Sequence, residues 1–183
     1  MNPIDHGNNQ PKRPSFNDDV PKPGPEVYVL RMPADRTITF VAWGDKLRGF
    51  DVHWLGNRTA MHFEPAEECE HCLKNLPSKW KGYLHVYAVE LKQEFFLEFT
   101  KITASAFQHQ VANPDHLRGC TFRLKRGKSK NSRMSIIILA PVTVETALPP
   151  EKDPRPCILR LYGYSDNQIA EWLATGPTPH EEW

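Results

Sequence analysis

The chain has 183 residues, and its 23 Lys and Arg against 22 Asp and Glu leave a formal net charge of +1. With 39% hydrophobic and 25% charged residues it matches a soluble globular protein of one domain with tails, and no overall charge marks it for nucleic acid. No stretch approaches the roughly 18 apolar residues of a membrane span. The opening MNPIDHGNNQPKRPSF lacks the apolar run of a secretory signal, so a cytoplasmic setting is expected.

Proline divides the chain. Pro3, Pro11, Pro14, Pro21, Pro23 and Pro25 fall in a polar arm, 1–25, that is expected to be disordered. Residues 26–141 are the expected domain, and the proline-rich stretch 142–160 is expected to be a semi-rigid linker before a C-terminal helix and acidic tail, 161–183.

Within the domain the hydrophobic period is mostly two. EVYVLRM (26–32) is a short candidate strand. RTITFVAW (36–43) puts Ile38, Phe40 and Ala42 on one face, and GFDVHWL (49–55) puts Phe50, Val52 and Trp54 opposite Asp51 and His53. After a cysteine-containing segment, KGYLHVYAVEL (81–91) alternates Leu84, Val86 and Ala88 with Tyr83, His85 and Tyr87. The period becomes helical over 98–111, with Phe99, Ile102, Ala106, Phe107 and Val111. LRGCTFRLKR (117–126) and RMSIIILAPV (133–142) read as a hairpin with a long polar loop, and the run Ile136 to Leu139 predicts a strand buried on both faces. SDNQIAEWLATG (165–176) predicts a helix capped by Ser165 or Asp166 and stopped at Gly176.

From residue 36 onward, without the cysteine segment, the order is β-β-β-α-β-β. The expected fold is therefore mainly β with one or two helices, an OB-fold-like five-stranded barrel with an inserted zinc-binding loop at 53–80. An open α+β sheet is the competing arrangement.

The insert contains HFEPAEECEHC (62–72), with two of the four cysteines spaced so that a tight turn can aim both sulfurs at one ion. His62 is the natural third ligand and His53 the expected fourth, whereas His71, between the cysteines, is expected to point away. The insert has few large apolar residues, so a structural Zn2+ would supply the order that packing does not. The rivals are two ordinary cysteines in a polar loop, a redox pair, which flanking glutamates disfavour, and a catalytic zinc. Cys120 shares a strand face with Phe122 and Leu124 and is expected to be buried.

Leu117 to Arg133 carries Arg118, Arg123, Lys125, Arg126, Lys128, Lys130 and Arg133 with no acidic residue. Beside it, Tyr83, His85 and Tyr87, with Trp80 and Lys81, would offer rings for bases and cations for phosphates, as single strands require. The competing explanation is that these rings lie under the insert or the C-terminal helix, and that the charge run is a solvated hairpin tip. Trp43 and Trp54 are expected in the core.

HFEPAEECEHC, ending in C-x-x-C, and the architecture over about 36–141 resemble the phage single-stranded-DNA-binding proteins with a structural zinc subdomain in an OB-fold. That family uses one histidine and three cysteines, whereas this chain offers two histidines upstream. The ending PTPHEEW resembles the acidic tails with a terminal aromatic by which single-strand binders recruit partners. The resemblance implies a non-enzymatic binder of single-stranded DNA or RNA. The alternative is a zinc-stapled protein-interaction adaptor, with Trp172, Glu181, Glu182 and Trp183 as its contacts. No phosphate-cradling glycine loop or nucleophile motif supports a third reading, a metal-dependent hydrolase.

Overall fold

The computed structural model describes residues 27–62, 66–67, 69–114, 116–129, 132, 134–140 and 148–175. The expected N-terminal arm, residues 142–147 of the expected linker, Lys130, Arg133, Glu181, Glu182 and Trp183 lie outside them. Among the described residues no helix is long and apolar enough to cross a membrane.

The strands are β1 (Tyr28–Leu30), β2 (Arg36–Ala42), β3 (Arg48–Trp54), β4 (Thr59–Met61), β5 (Ser78–Ala88), β6 (Gln93–Thr100), β7 (Thr121–Arg126) and β8 (Met134–Ala140). The helices are α1 (Glu70–Leu73), α2 (Lys101–Gln108), α3 (Arg155–Leu161) and α4 (Asp166–Thr175). All eight strands belong to one mixed sheet, ordered β1-β6-β5-β2-β7-β8, with β3 on β5 and β4 on β3. Among the described residues only the β1–β6 pair is parallel.

β5 organises the sheet. One edge pairs along Lys81–Ala88 with β6. The other is shared, with Ser78–Tyr83 against β3 and Val86–Ala88 against β2. Alternation on β5 then divides the apolar residues between two cores. Leu84, Val86 and Ala88 join Ile38, Phe40, Leu97, Phe99, Phe122 and Leu124 in the first core, with Phe107 of α2. Tyr83 joins Phe50, Val52 and Phe96 in the second, beneath Ile158, Leu159 and Tyr162 of the α3 region and Ile169 of α4.

The protein is mainly β, as expected, but the sheet stays open and does not close into a five-stranded barrel. The free edge of β6 is taken by β1, β8 pairs only with β7 among the described residues, and α2 packs against β5, β6 and β8. Among the described residues no strand bridges the ends.

Other boundaries also differ from expectation. The helix expected over 98–111 starts at Lys101, capped by Thr100, whose hydroxyl accepts from the Thr103 N–H at 3.3 Å. The preceding FFLEF belongs to β6, with Leu97 and Phe99 in one core and Phe96 in the other, so both faces are apolar and the period is hidden. Residues 155–161, all but the last inside the expected linker, form α3, with proline in its first turn. β8 is buried on one face only: Ile136 is enclosed, while Ile137 is 54% and Leu139 44% exposed. At α4, the Ser165 hydroxyl accepts from the Gln168 N–H and the Gln168 amide oxygen accepts from the Ser165 N–H at 2.9 Å, a reciprocal cap.

Candidate metal centre and open sheet face

The β3–β4 hairpin and the turn into α1 bring four ligand residues together. His53 is buried in β3, opposite Ala60 of β4 and Ser78 of β5. His62 follows β4, held by its N–H to the Asp51 carbonyl at 2.9 Å. Cys69 is the N-cap residue of α1 and Cys72 lies within it. Asn75, in the left-handed region at φ 55°, turns the chain out of this short helix. The turn is fastened by the Leu73 N–H to Cys69 O and the Asn75 N–H to Cys72 O.

His53 Nε2 lies 3.0 Å from His62 Nδ1, 3.5 Å from Cys69 Sγ and 3.6 Å from Cys72 Sγ, and Cys72 Sγ lies 3.3 Å from His62 Nδ1. All four ligand atoms fall within 4.8 Å of one another. Tetrahedral N and S ligands about 2.0–2.3 Å from one ion stand about 3.3–3.8 Å apart, a range that holds these three nitrogen–sulfur distances, while the two imidazole nitrogens stand slightly closer at 3.0 Å. Neither cysteine is in a disulfide, and the four residues can hold a metal ion. The opposite nitrogen of His53, Nδ1, is buried with no hydrogen-bond partner among the described residues. His71 is half-buried with its ring 5.5 Å from that of His53, but it is not one of the four.

The expected aromatic face is divided. Tyr83 and His85 do lie opposite the aliphatic row of β5, but both are buried and offer no free ring face. The Tyr83 hydroxyl is hydrogen bonded to that of Tyr162 at 2.7 Å and to the Glu98 carboxylate at 3.4 Å. Burial, reinforced by Tyr162 and Glu98, pushes its pKa far above the ordinary tyrosine range. Burial also pushes Tyr162 up to about 12. His85 Nε2 donates to Glu94 at 3.0 Å and Nδ1 accepts from the Lys152 N–H at 3.2 Å, which fixes the neutral tautomer. Burial lowers its pKa, and Glu94 opposes this without reversing it.

Tyr87 remains half-buried, and it stacks on Trp43 with centroids 5.1 Å apart and planes 13° from parallel. Trp43 was expected in the core. Its parity with Thr39 and Val41, opposite Phe40 and Ala42, puts it instead on the outer face, a signal present in the alternation itself. Trp54, also expected in the core, is 55% exposed beyond the edge of the second core.

Trp80 lies at the rim of the first core, and its indole covers the paired Gly49 and Gly82, where an added Cβ would stand 2.3 Å from the ring. Lys81 is drawn to Glu98 at 3.4 Å, and burial lowers its pKa. Arg118 is taken up by carbonyls: Trp43 O, Leu148 O at 2.8 Å and Pro149 O at 2.6 Å. Arg126 donates to Met32 O at 2.8 Å, and Lys128 is exposed, 4.0 Å from Asp35. Arg123 and Lys125 stand exposed on β7, opposite Thr39 and Thr37 of β2. Trp172, expected to face a partner, packs against the second core.

The outer face of the sheet is thus roofed by α3 and α4 over β3, β5 and β6. Among the described residues no helix covers it over β2, β7 and β8, where Arg123, Lys125 and Ile137 lie, with Trp43 just past β2 and Tyr87 near the end of β5 beside them. Comparison of the chain with protein-family models, curated proteins and solved structures found no match.

Proposed function

We propose that the protein binds single-stranded nucleic acid on the uncovered half of its sheet, without catalysis, and that Zn2+ held by His53, His62, Cys69 and Cys72 staples the β3–β4 hairpin at the other end of the sheet. The observation that carries this reading is the stacked Trp43–Tyr87 pair, half-exposed on a sheet face that also presents Arg123 and Lys125. Bases of any sequence have a π-face to lay on such rings, worth about 1–3 kcal/mol each, while cations on the neighbouring strand meet the phosphates. A duplex keeps its bases stacked internally and cannot use the rings. The resemblance to zinc-containing single-strand binders belongs with this reading.

Two thiolates and two imidazoles form a donor set suited to zinc, and four protein ligands leave no open position for water, so the metal's role is structural. Fluorescence anisotropy with single-stranded DNA, single-stranded RNA and duplex at two salt concentrations tests the function. Single strands are expected to bind at least about tenfold more tightly than duplex, with affinity falling as salt rises. Equal binding of duplex, or none of any oligonucleotide, contradicts the proposal.

A further inference from the structure

Among the described residues the sheet ends at β1, β4 and β8. β1 and β4 are three residues long and offer little to a pairing partner. β8 has seven, MSIIILA, without a charge or a proline. Long edge strands are ordinarily blunted by lysine, proline or a bulge. Here the register with β7 runs unbroken from Met134 to Ile138, and the irregularity falls beyond it. The side chains tell the same story, for a run of aliphatics suited to burial on two faces is covered on one, leaving Ile137 and Leu139 exposed.

We propose that β8 pairs antiparallel with β8 of a second copy of this chain, so that two sheets continue across a two-fold axis. A two-fold contact sets one surface against itself, and an antiparallel strand pair satisfies that symmetry. Every residue of β8 that meets its counterpart is neutral, so no like charges oppose. The antiparallel sense places the basic β7–β8 connections, with Lys128, at opposite ends of the joint, where a parallel pairing would crowd them. A charged peptide finds nothing on β8 to select it. Pairing sets Ile137 of each copy near the joint and brings half-buried Ile138, at the rim of the first core, against the partner strand. It also aligns the two bare faces, each β7 one strand from the seam. The association needs no nucleic acid, so it stands or falls separately from the binding function.

Sedimentation equilibrium of the nucleic-acid-free full chain tests this. The expected species has twice the 21.1 kDa chain mass. Ile137→Lys is expected to halve that mass with an unchanged circular dichroism spectrum, since the side chain is exposed in the single chain. Thr39→Lys, on the same face but on interior strand β2, is expected to stay dimeric. A monomeric wild type, or a dimer that withstands Ile137→Lys, overturns the proposal. Dissociation by Thr39→Lys would place the contact on the face rather than the edge, and overturns it too.

Discussion

Single side chains separate holding the fold from doing the work. His62 and Cys72 stand 3.3 Å apart in the four-residue group that can hold a metal ion. His62→Ala and Cys72→Ser are each expected to lower bound zinc well below the one equivalent per chain of an intact four-ligand site, measured by metal analysis. They should also open the segment around α1 to protease. The tyrosine pair makes a pH prediction. An unfolded tyrosine ionises near the ordinary 10.0, whereas folded Tyr162 is held neutral up to about 12. The unfolded chain releases its protons first, so the stability from this pair is complete below about pH 10 and is lost as pH rises toward 12. Thermal unfolding followed against pH should show the melting temperature falling through that window. Tyr162→Phe should make the fall shallower, while costing about 1 kcal/mol at neutral pH through the lost Tyr83 hydrogen bond.

Elements show why part of the molecule is legible in its sequence and part is not. His53, His62, Cys69 and Cys72 could be grouped because ligand spacing is local and chemically restrictive, and the structure brings all four together. The faces of β5 were legible because alternation is a property of the backbone. What covers a face is not, since Tyr83 meets Tyr162 from 79 residues away. β6 was hidden because burial on both sides erases its period, and α3 because proline in a first turn looks like proline in a linker. The seat of Trp80 on Gly49 and Gly82 likewise needs the register between β3 and β5. Gly82→Ala should push the indole out, seen as a red-shifted tryptophan emission against the wild type. On β7, Arg123→Glu with Lys125→Glu should reduce the salt dependence of single-strand binding. The slope of log affinity against log salt should fall by about 0.7 for each lost phosphate contact.

At the scale of the molecule, α3 and α4 roof one half of the outer sheet face among the described residues, and the β3–β4 hairpin that carries His53 and leads to His62 belongs to the roofed end. His53 pairs with Ser78 at the start of β5, whereas Tyr87 lies nine residues further along it, about 30 Å at the rise of a strand. The insert therefore does not wall the open face, contrary to what its place beside a candidate binding strand suggests. Zinc should support folding while leaving the affinity of the folded protein for oligonucleotide nearly unchanged. The most direct test of the account removes the Trp43–Tyr87 pair alone. Anisotropy of a labelled single-stranded oligonucleotide would be compared for wild type, Trp43→Ala/Tyr87→Ala and Trp54→Ala, whose indole is exposed at the other end. The double variant is expected to lose at least about tenfold in affinity, from about 1–3 kcal/mol for each ring, and Trp54→Ala to match wild type. Unchanged binding by a folded double variant, or equal loss in Trp54→Ala, would contradict the account.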